Sequence, residues 1–170
     1  GPNSPYGLHK LMSEMECKLY SELYGLDTVC LRYFNAYAED QEYGGSYSTV
    51  ISAWMELIKQ NKPLRIDGDG EQTRDYVHVN DIVSANLFCA NYEGKFVGSC
   101  FDVGTGEAIS LNSVKEFVEE RYKVKWQQAP ERDGDVKHTL ANIDPLRDLG
   151  WEANIKIAEG LKKCFIGETI

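Results

Sequence analysis

An α/β fold is expected for this chain, on three observations. Apolar, β-branched runs of strand length alternate with segments of helical period. Serine or threonine caps and glycine stops bracket several of those helices. With 42% hydrophobic and 26% charged residues over 170 positions, the composition is that of an ordinary folded chain rather than a disordered or fibrous one.

The first helix is expected over 6–24. Leu8, Leu11, Met12, Met15, Leu19 and Leu23 recur near a 3.6 period, Ser4 and Pro5 suit its start, and Gly25 suits its stop. Thr28 to Phe34 reads as a buried strand, and its apolar character on both faces predicts a sheet covered on both sides. Residues 36–48 read as a polar loop. A second helix follows over 49–60, with Val50, Trp54, Leu57 and Ile58 inward. Leu64 to Ile66 is a short strand that Gly68-Asp69-Gly70 turns back. Arg74 to Val79 alternates as a strand does, and Asn80 or Asp81 is placed to cap the helix that ends near Asn91. Cys100 to Val103 is a strand, Ser110 caps a helix carrying Leu111, Val114, Phe117, Val118 and Tyr122, and Val124 to Gln127 is a short strand. Asp144-Pro145 opens a brief helix that Gly150 ends, and Ile157, Leu161 and Phe165 share one face of the last helix. The sequence starts on a helix cap with no strand before it. A complete doubly wound domain opens with a strand and a glycine-rich turn, so a fragment of a longer protein is expected.

The net charge of −9, from 27 acidic and 18 basic residues, disfavours nucleic acid and anionic membranes as partners. No apolar run approaches the roughly 18 residues needed to span a bilayer. Cys17, Cys30, Cys89, Cys100 and Cys164 are odd in number and lack a C-x-x-C pair, which argues against a disulfide framework or zinc cluster and for a reducing cytoplasm. His9, His78 and His138 are too scattered to suggest a metal site.

Four groups of residues invite a chemical reading. Tyr6 and Lys10 stand one turn apart on a helix and share a face. A phenol ordinarily titrates near 10, so a phenolate at neutral pH needs roughly 4 kcal/mol of stabilisation, more than one surface ammonium supplies. On spacing alone the two are also a plain surface pair. Arg74, opening a strand after a glycine turn, has the planar fork that suits a phosphate. Arg132-Asp133-Gly134-Asp135 is either a charged turn or a second phosphate-binding arginine with an aspartate for a ribose hydroxyl. Gly104-Thr105-Gly106 lacks the third glycine of a dinucleotide fingerprint and reads as a tight turn. His78 reads as structural and Asp81 as a helix cap. No G-x-S-x-G elbow, H-E-x-x-H or Walker loop occurs.

In order, S-P-Y-G-L-H-K, L-R-Y-F-N, G-D-G-E-Q-T-R-D-Y-V-H-V-N-D, D-V-G-T-G, E-R-D-G-D-V and D-P-L-R-D-L-G-W closely resemble the C-terminal half of the extended short-chain dehydrogenase/reductases, the NAD-dependent nucleotide-sugar epimerases and dehydratases, with 4-epimerases of the UDP-glucose type nearest. The resemblance covers nearly the whole chain. It implies partial Rossmann-like sheet elements joined to a small α/β substrate-binding domain. Residues 1–35 and about 99–104 would then form the edge of the dinucleotide-binding domain.

It further implies Tyr6 as catalytic base with Lys10 as its partner, both touching NAD, with Tyr33 and Phe34 beside the cofactor. Asn35, Arg74, Arg132 and Asp135 would bind a nucleotide-diphosphate sugar, and Leu64 and Ile66 would line the base. The sugar would be oxidised transiently and re-reduced on its other face. A dehydratase of the same family, or a non-catalytic binding or self-associating module, are the alternatives. The resemblance also implies a homodimer or larger species through helix 6–24 and exposed sheet edges, with no NAD binding by this chain alone. Two positions depart from the family pattern: Asp67, where an aromatic residue is common, and Ala38, where glycine is usual.

Overall fold

A computed structural model describes residues 2, 4–42, 44, 49–131 and 134–166. Its elements, in order, are α1 (Pro5–Tyr24), β1 (Val29–Tyr33), β2 (Asn35–Tyr37), α2 (Val50–Lys59), β3 (Leu64–Asp67), β4 (Thr73–His78), α3 (Val79–Ala90), β5 (Ser99–Val103), β6 (Ala108–Ser110), α4 (Leu111–Glu119), β7 (Trp126–Ala129), α5 (Asp144–Asp148) and α6 (Ile157–Ile166). The fold is α/β.

Among the described residues three small sheets form. β1 pairs in parallel with β5, β2 in parallel with β4, and β3 in parallel with β7, while β6 runs antiparallel to β4. The helices pack these sheets into two hydrophobic clusters. One joins β3, β7, α2, α4 and α6 around Trp54, Leu64, Val114, Val118 and Leu161. The other joins β1, β5, α3 and α5 around Val77, Ala85, Val103, Leu146 and Trp151. β4 contributes to both, with Tyr76 in the first and Val77 in the second, so successive side chains on opposite faces stitch the two together.

Local chemistry sets the helix ends. Ser4 Oγ accepts from Gly7 N, Pro5 occupies the first turn, and Gly25 closes α1 at φ +66°, where a side chain would be strained. Thr49 and Ser110 cap α2 and α4 in the same way. In α2 the inward residues include Ile51 and Met55 beside Trp54, and the Trp54 indole also donates to the Arg65 carbonyl at 3.0 Å.

Several expectations are corrected. β1 is not a strand buried on both faces: its first three residues are half-buried and its last two are exposed. Among the described residues only β5 pairs with it, so one edge lacks a neighbour. The apolar stripe of α1 does not face a core; Leu8, Met12, Met15, Leu19 and Leu23 are 48–64% exposed, and Ser21 is the helix's buried residue. The segment expected as loop from residue 36 includes most of β2, and β6 was not anticipated; both are three residues long and owe their conformation to pairing with β4. β7 lies two residues later than expected. His78, not Asn80 or Asp81, caps α3, through Nδ1 accepting from Asn80 N.

Gly160 in α6 makes one sharp prediction. A Cβ there would run into Tyr37 Oη, a fully buried atom that has no hydrogen-bond partner among the described residues. Gly160→Ala is therefore expected to lower stability by about 1–3 kcal/mol through overpacking, despite alanine's better helix propensity. A thermal melt at or above the parent's would refute this.

Candidate functional site

Helix α1 runs back along β1. Glu14 takes two hydrogen bonds from Arg32, at 2.7 and 2.6 Å, and Thr28 Oγ1 donates to the Cys17 carbonyl at 2.8 Å. The first turn of α1 therefore projects beyond the carboxyl end of β1, the side on which open α/β sheets bind ligands. The Arg32 guanidinium also holds the Glu14 carboxyl below its usual range.

Tyr6 and Lys10 sit on that turn and share a face, with the Lys10 ammonium 5.5 Å from the Tyr6 ring centroid. Tyr6 is 56% exposed. The other phenols near the middle of the fold are unsuited to proton transfer at neutral pH: burial pushes Tyr76 up to about 12, against an opposing pull from Arg74, and burial also raises Tyr37. His78 is fully buried. Its Nδ1 accepts a backbone N–H, so the proton resides on Nε2, which donates to Glu39 Oε2 at 3.1 Å. It is structural, as its strand position suggested.

Arg74, at the start of β4, reaches across to the segment 134–139. Nη1 donates to the carbonyls of Thr73 and Lys137, at 2.9 and 3.1 Å, and Nη2 to Asp135 Oδ1 at 2.8 Å. The fold thus brings together Arg74 and Asp135, 61 residues apart in sequence. Asp135 lines a cleft of about 220 Å³ with Asp67, Gln72, Glu131, Lys137 and His138. Asp69 and Glu71 line it too, and each acid has a cation or donor: Asp135 has Arg74, Glu131 has Lys137 at 3.4 Å, Asp67 has Arg65 at 2.5 Å, Asp69 accepts from the Glu71 N–H at 3.0 Å and Glu71 from the Asn112 amide at 2.6 Å. Arg132 and Asp133 lie outside the described residues.

The remaining candidates are placed as follows. Asn35 commits both amide hydrogens, to the Asp75 carbonyl at 3.1 Å and Thr139 Oγ1 at 3.2 Å, so a contact from it to a ligand would run through Oδ1. Leu64 and Ile66 point into the core, at 0% and 4% exposure; what the strand presents to the cleft is its backbone end and Asp67. The two-residue alternation of a strand turns both side chains inward, so any contact of Leu64–Ile66 with a base would run through the strand's backbone. The Tyr33 hydroxyl donates to Asn86 Oδ1 at 2.9 Å, and Phe34 packs on the second cluster. The Tyr33 ring lies on the α3 side of the sheet.

Asp75 was missed, and it organises the site. It is fully buried; Oδ1 accepts from Thr105 N and Oγ1, both at 2.8 Å, and Oδ2 from Gly106 N at 2.9 Å and Ala141 N at 3.2 Å. One carboxylate therefore ties β4 to the 104–106 turn and to the segment carrying Thr139. The signal in the sequence was an acid at an inward position of a strand, which needs several donors to be tolerated. Because Asp75 takes the N–H groups of Thr105 and Gly106, this turn does not offer them to a pyrophosphate, in keeping with its reading as a tight turn. Asp81, also buried, accepts from Asn154 N and Ile155 N, both at 3.0 Å, and so anchors the approach to α6 rather than capping α3.

Residues 1–104 match the family model described as the NAD dependent epimerase/dehydratase family. The chain belongs to this family. Among curated members of the epimerase/dehydratase family, a putative UDP-glucose 4-epimerase of Methanocaldococcus jannaschii is 35% identical over 164 residues, 95% of this chain and 52% of that protein. The UDP-glucuronate 4-epimerase of Thermodesulfobacterium geofontis is 33% identical, over 95% and 49%. Among solved structures, the UDP-N-acetylglucosamine 4-epimerase from Methanobrevibacter ruminantium M1, in complex with UDP-N-acetylmuramic acid, superposes with a TM-score of 0.90 at 31% identity, covering 98% of this chain and 54% of that one. The UDP-glucose 4-epimerase of Thermotoga maritima with UDP-glucose gives 0.89 at 34%, over 98% and 54%. The chain thus spans about half the length of the epimerases it matches.

Proposed function

We propose that the protein to which this chain belongs is an NAD-dependent 4-epimerase of UDP-sugars, and that this chain supplies its substrate-binding half. Residues 1–35 and about 99–104 form the edge of the dinucleotide-binding domain in this reading. The observation that carries it is the Arg74–Asp135 pair at the cleft. A guanidinium fixed by two carbonyls and a carboxylate is pre-set for a diphosphate, and Asp135 beside it is an acceptor for a ribose hydroxyl. Arg132, Asn35 Oδ1 and the backbone end of β3 complete the nucleotide-sugar contacts.

Tyr6 Oη takes the proton from a sugar hydroxyl and later returns it. Lys10 supplies positive charge beside the phenol, at the 5.5 Å spacing to its ring. NAD, when bound, accepts and returns a hydride and adds a second positive charge near Tyr6. The residues present suit one side of that cofactor: Tyr6 and Lys10 lie on an exposed turn beyond the sheet's carboxyl end, where they would hold its nicotinamide ribose, and Tyr33 and Phe34 border it from the end of β1. The turn at 104–106 has its donors engaged by Asp75, so this chain alone is expected to bind NAD too weakly to measure. Calorimetry with a UDP-sugar and with NAD, run separately on this chain, tests this. Weak UDP-sugar binding with no NAD binding supports the reading; NAD binding without UDP-sugar binding contradicts it.

We also infer that the chain self-associates through α1, whose exposed leucines, methionines and tyrosines form an apolar face too extended for a lone helix in water. Sedimentation should show a dimer or larger species. A clean monomer at high concentration would oppose it. No helix among the described residues is long and apolar enough to cross a membrane, and all five cysteines are free thiols; we place the protein in a reducing cytoplasm.

A further inference from the structure

We propose that Cys17, Cys30 and Cys100 form an oxidisable thiol site, in which hydrogen peroxide joins Cys17 to Cys30 in a reversible disulfide across the α1–β1 contact. The proposal rests on the packing of α1 on the sheet and is independent of the nucleotide-sugar reading.

Cys30 and Cys100 are register partners in the parallel β1–β5 pair, so their side chains share one face. That face is the one α1 covers. Two residues further along, Arg32 and its register partner Asp102 lie 3.7 Å apart, and Arg32 bonds Glu14 of α1. Cys17 follows Glu14 by three residues and so lies on the same side of the helix. Its carbonyl is bonded by Thr28, two residues before Cys30. Gly98, at the entry to β5, lies so close that any side chain there would meet the backbone of Lys18. The helix is thus pressed against the strands where the three cysteines gather. This seam is made of thiols, Ser21, Thr28 and the Glu14–Arg32–Asp102 charges, not of the leucines that usually join helix to sheet. Among the described residues no group of three potential ligands is placed to hold a metal ion, so metal binding does not account for the cluster.

Geometry selects the pair. Cys30 and Cys100 stand on two strands fixed by their hydrogen-bonded register, so neither backbone is free to turn its side chain toward the other. Cys17 stands on a helix whose outer side is unpacked and whose backbone Thr28 holds two residues before Cys30, so α1 is the element free to adjust. Burial, with the neighbouring thiols of Cys17 and Cys100, pushes Cys30 up to about 12, and burial also raises Cys100. Neither is a good first nucleophile, so Cys17 reacts first.

The Cys17 sulfur attacks peroxide, the O–O bond breaks, and the thiol proton leaves with the departing hydroxide as water, giving a sulfenic acid. The Cys30 sulfur then attacks the Cys17 sulfur. The S–O bond breaks, and the hydroxide takes the Cys30 proton as a second water. Two thiols lose two electrons and one peroxide becomes two waters. The bond would fasten the middle of the helix that carries Tyr6 and Lys10 to the sheet.

Trypsin places Cys17 on the peptide 11–18, Cys30 on 19–32 and Cys100 on 96–115, so the bridge can be read directly. The chain is treated with hydrogen peroxide, alkylated and digested without reductant. The expected product is peptide 11–18 joined to 19–32 within one chain, two hydrogens lighter than the sum and released by dithiothreitol. Cys17→Ser, with its circular dichroism unchanged, should lose the bridge and leave Cys30 alkylatable. A Cys30–Cys100 bridge, a bridge only between chains, Cys17 oxidised to sulfinic acid with no bridge, or no oxidation at all would each overturn the proposal.

Discussion

Asp75→Ala is expected to lower the stability of the chain by at least about 3 kcal/mol. The substitution leaves the N–H groups of half-buried Thr105 and Gly106 and of buried Ala141 without their acceptor. Each such group costs about 1–3 kcal/mol, against a total stability of about 5–15 kcal/mol for a typical domain. Urea unfolding followed by tryptophan fluorescence measures it, with Trp151 in the second cluster as reporter. Asp75→Asn should recover only part of the loss. Its amide can keep one oxygen toward Thr105 but sets an NH2 against the N–H groups of Gly106 and Ala141, both of which now face Oδ2. The same variants should weaken nucleotide-sugar binding, because Thr139 and Asn35 are held through β4 beside Asp75. An unfolding midpoint equal to the parent's would show that the carboxylate is not the clamp described.

Tyr6→Phe in the full-length protein is expected to lower kcat by about 10²–10⁴-fold, the usual contribution of a positioned proton-transfer group. The substitution removes one oxygen from an exposed side chain, so folding and UDP-sugar affinity should be unchanged. Steady-state kinetics with direct binding measurements separate the two. Lys10→Met should act in the same direction through loss of the nearby positive charge, with the deficit partly relieved at higher pH, where the phenol ionises more readily. Retained turnover in Tyr6→Phe would remove Tyr6 from the chemistry.

Much of this was legible in local sequence. Ser4, Pro5 and Gly25 fix α1 because caps act over three or four residues, and Ser110 fixes α4 for the same reason. Tyr6 and Lys10 share a face because helix geometry requires it. What was not legible depends on distant partners. β2 is strand because β4 lies beside it, though Asn-Ala-Tyr has little strand character of its own. The apolar stripe of α1 gave the helix its period, but amphipathicity says nothing about which surface covers the stripe, and here Leu8, Met15 and Leu23 face solvent. Asp81 carried the signature of a cap and instead serves two amides more than seventy residues away. The resemblance marked Leu64–Ile66 as a strand beside the base, and only its pleat decides that both side chains turn inward and leave the backbone for such a contact.

Arg74 is expected to grip the diphosphate of the nucleotide-sugar. Titrating UDP into the full-length protein and its Arg74→Ala variant measures this directly. A charge-assisted contact of about 1.5–3 kcal/mol corresponds to roughly a 10–100-fold rise in Kd. That rise, with NAD binding unaltered, is the expected result; an unchanged Kd for UDP in a folded Arg74→Ala protein would contradict it.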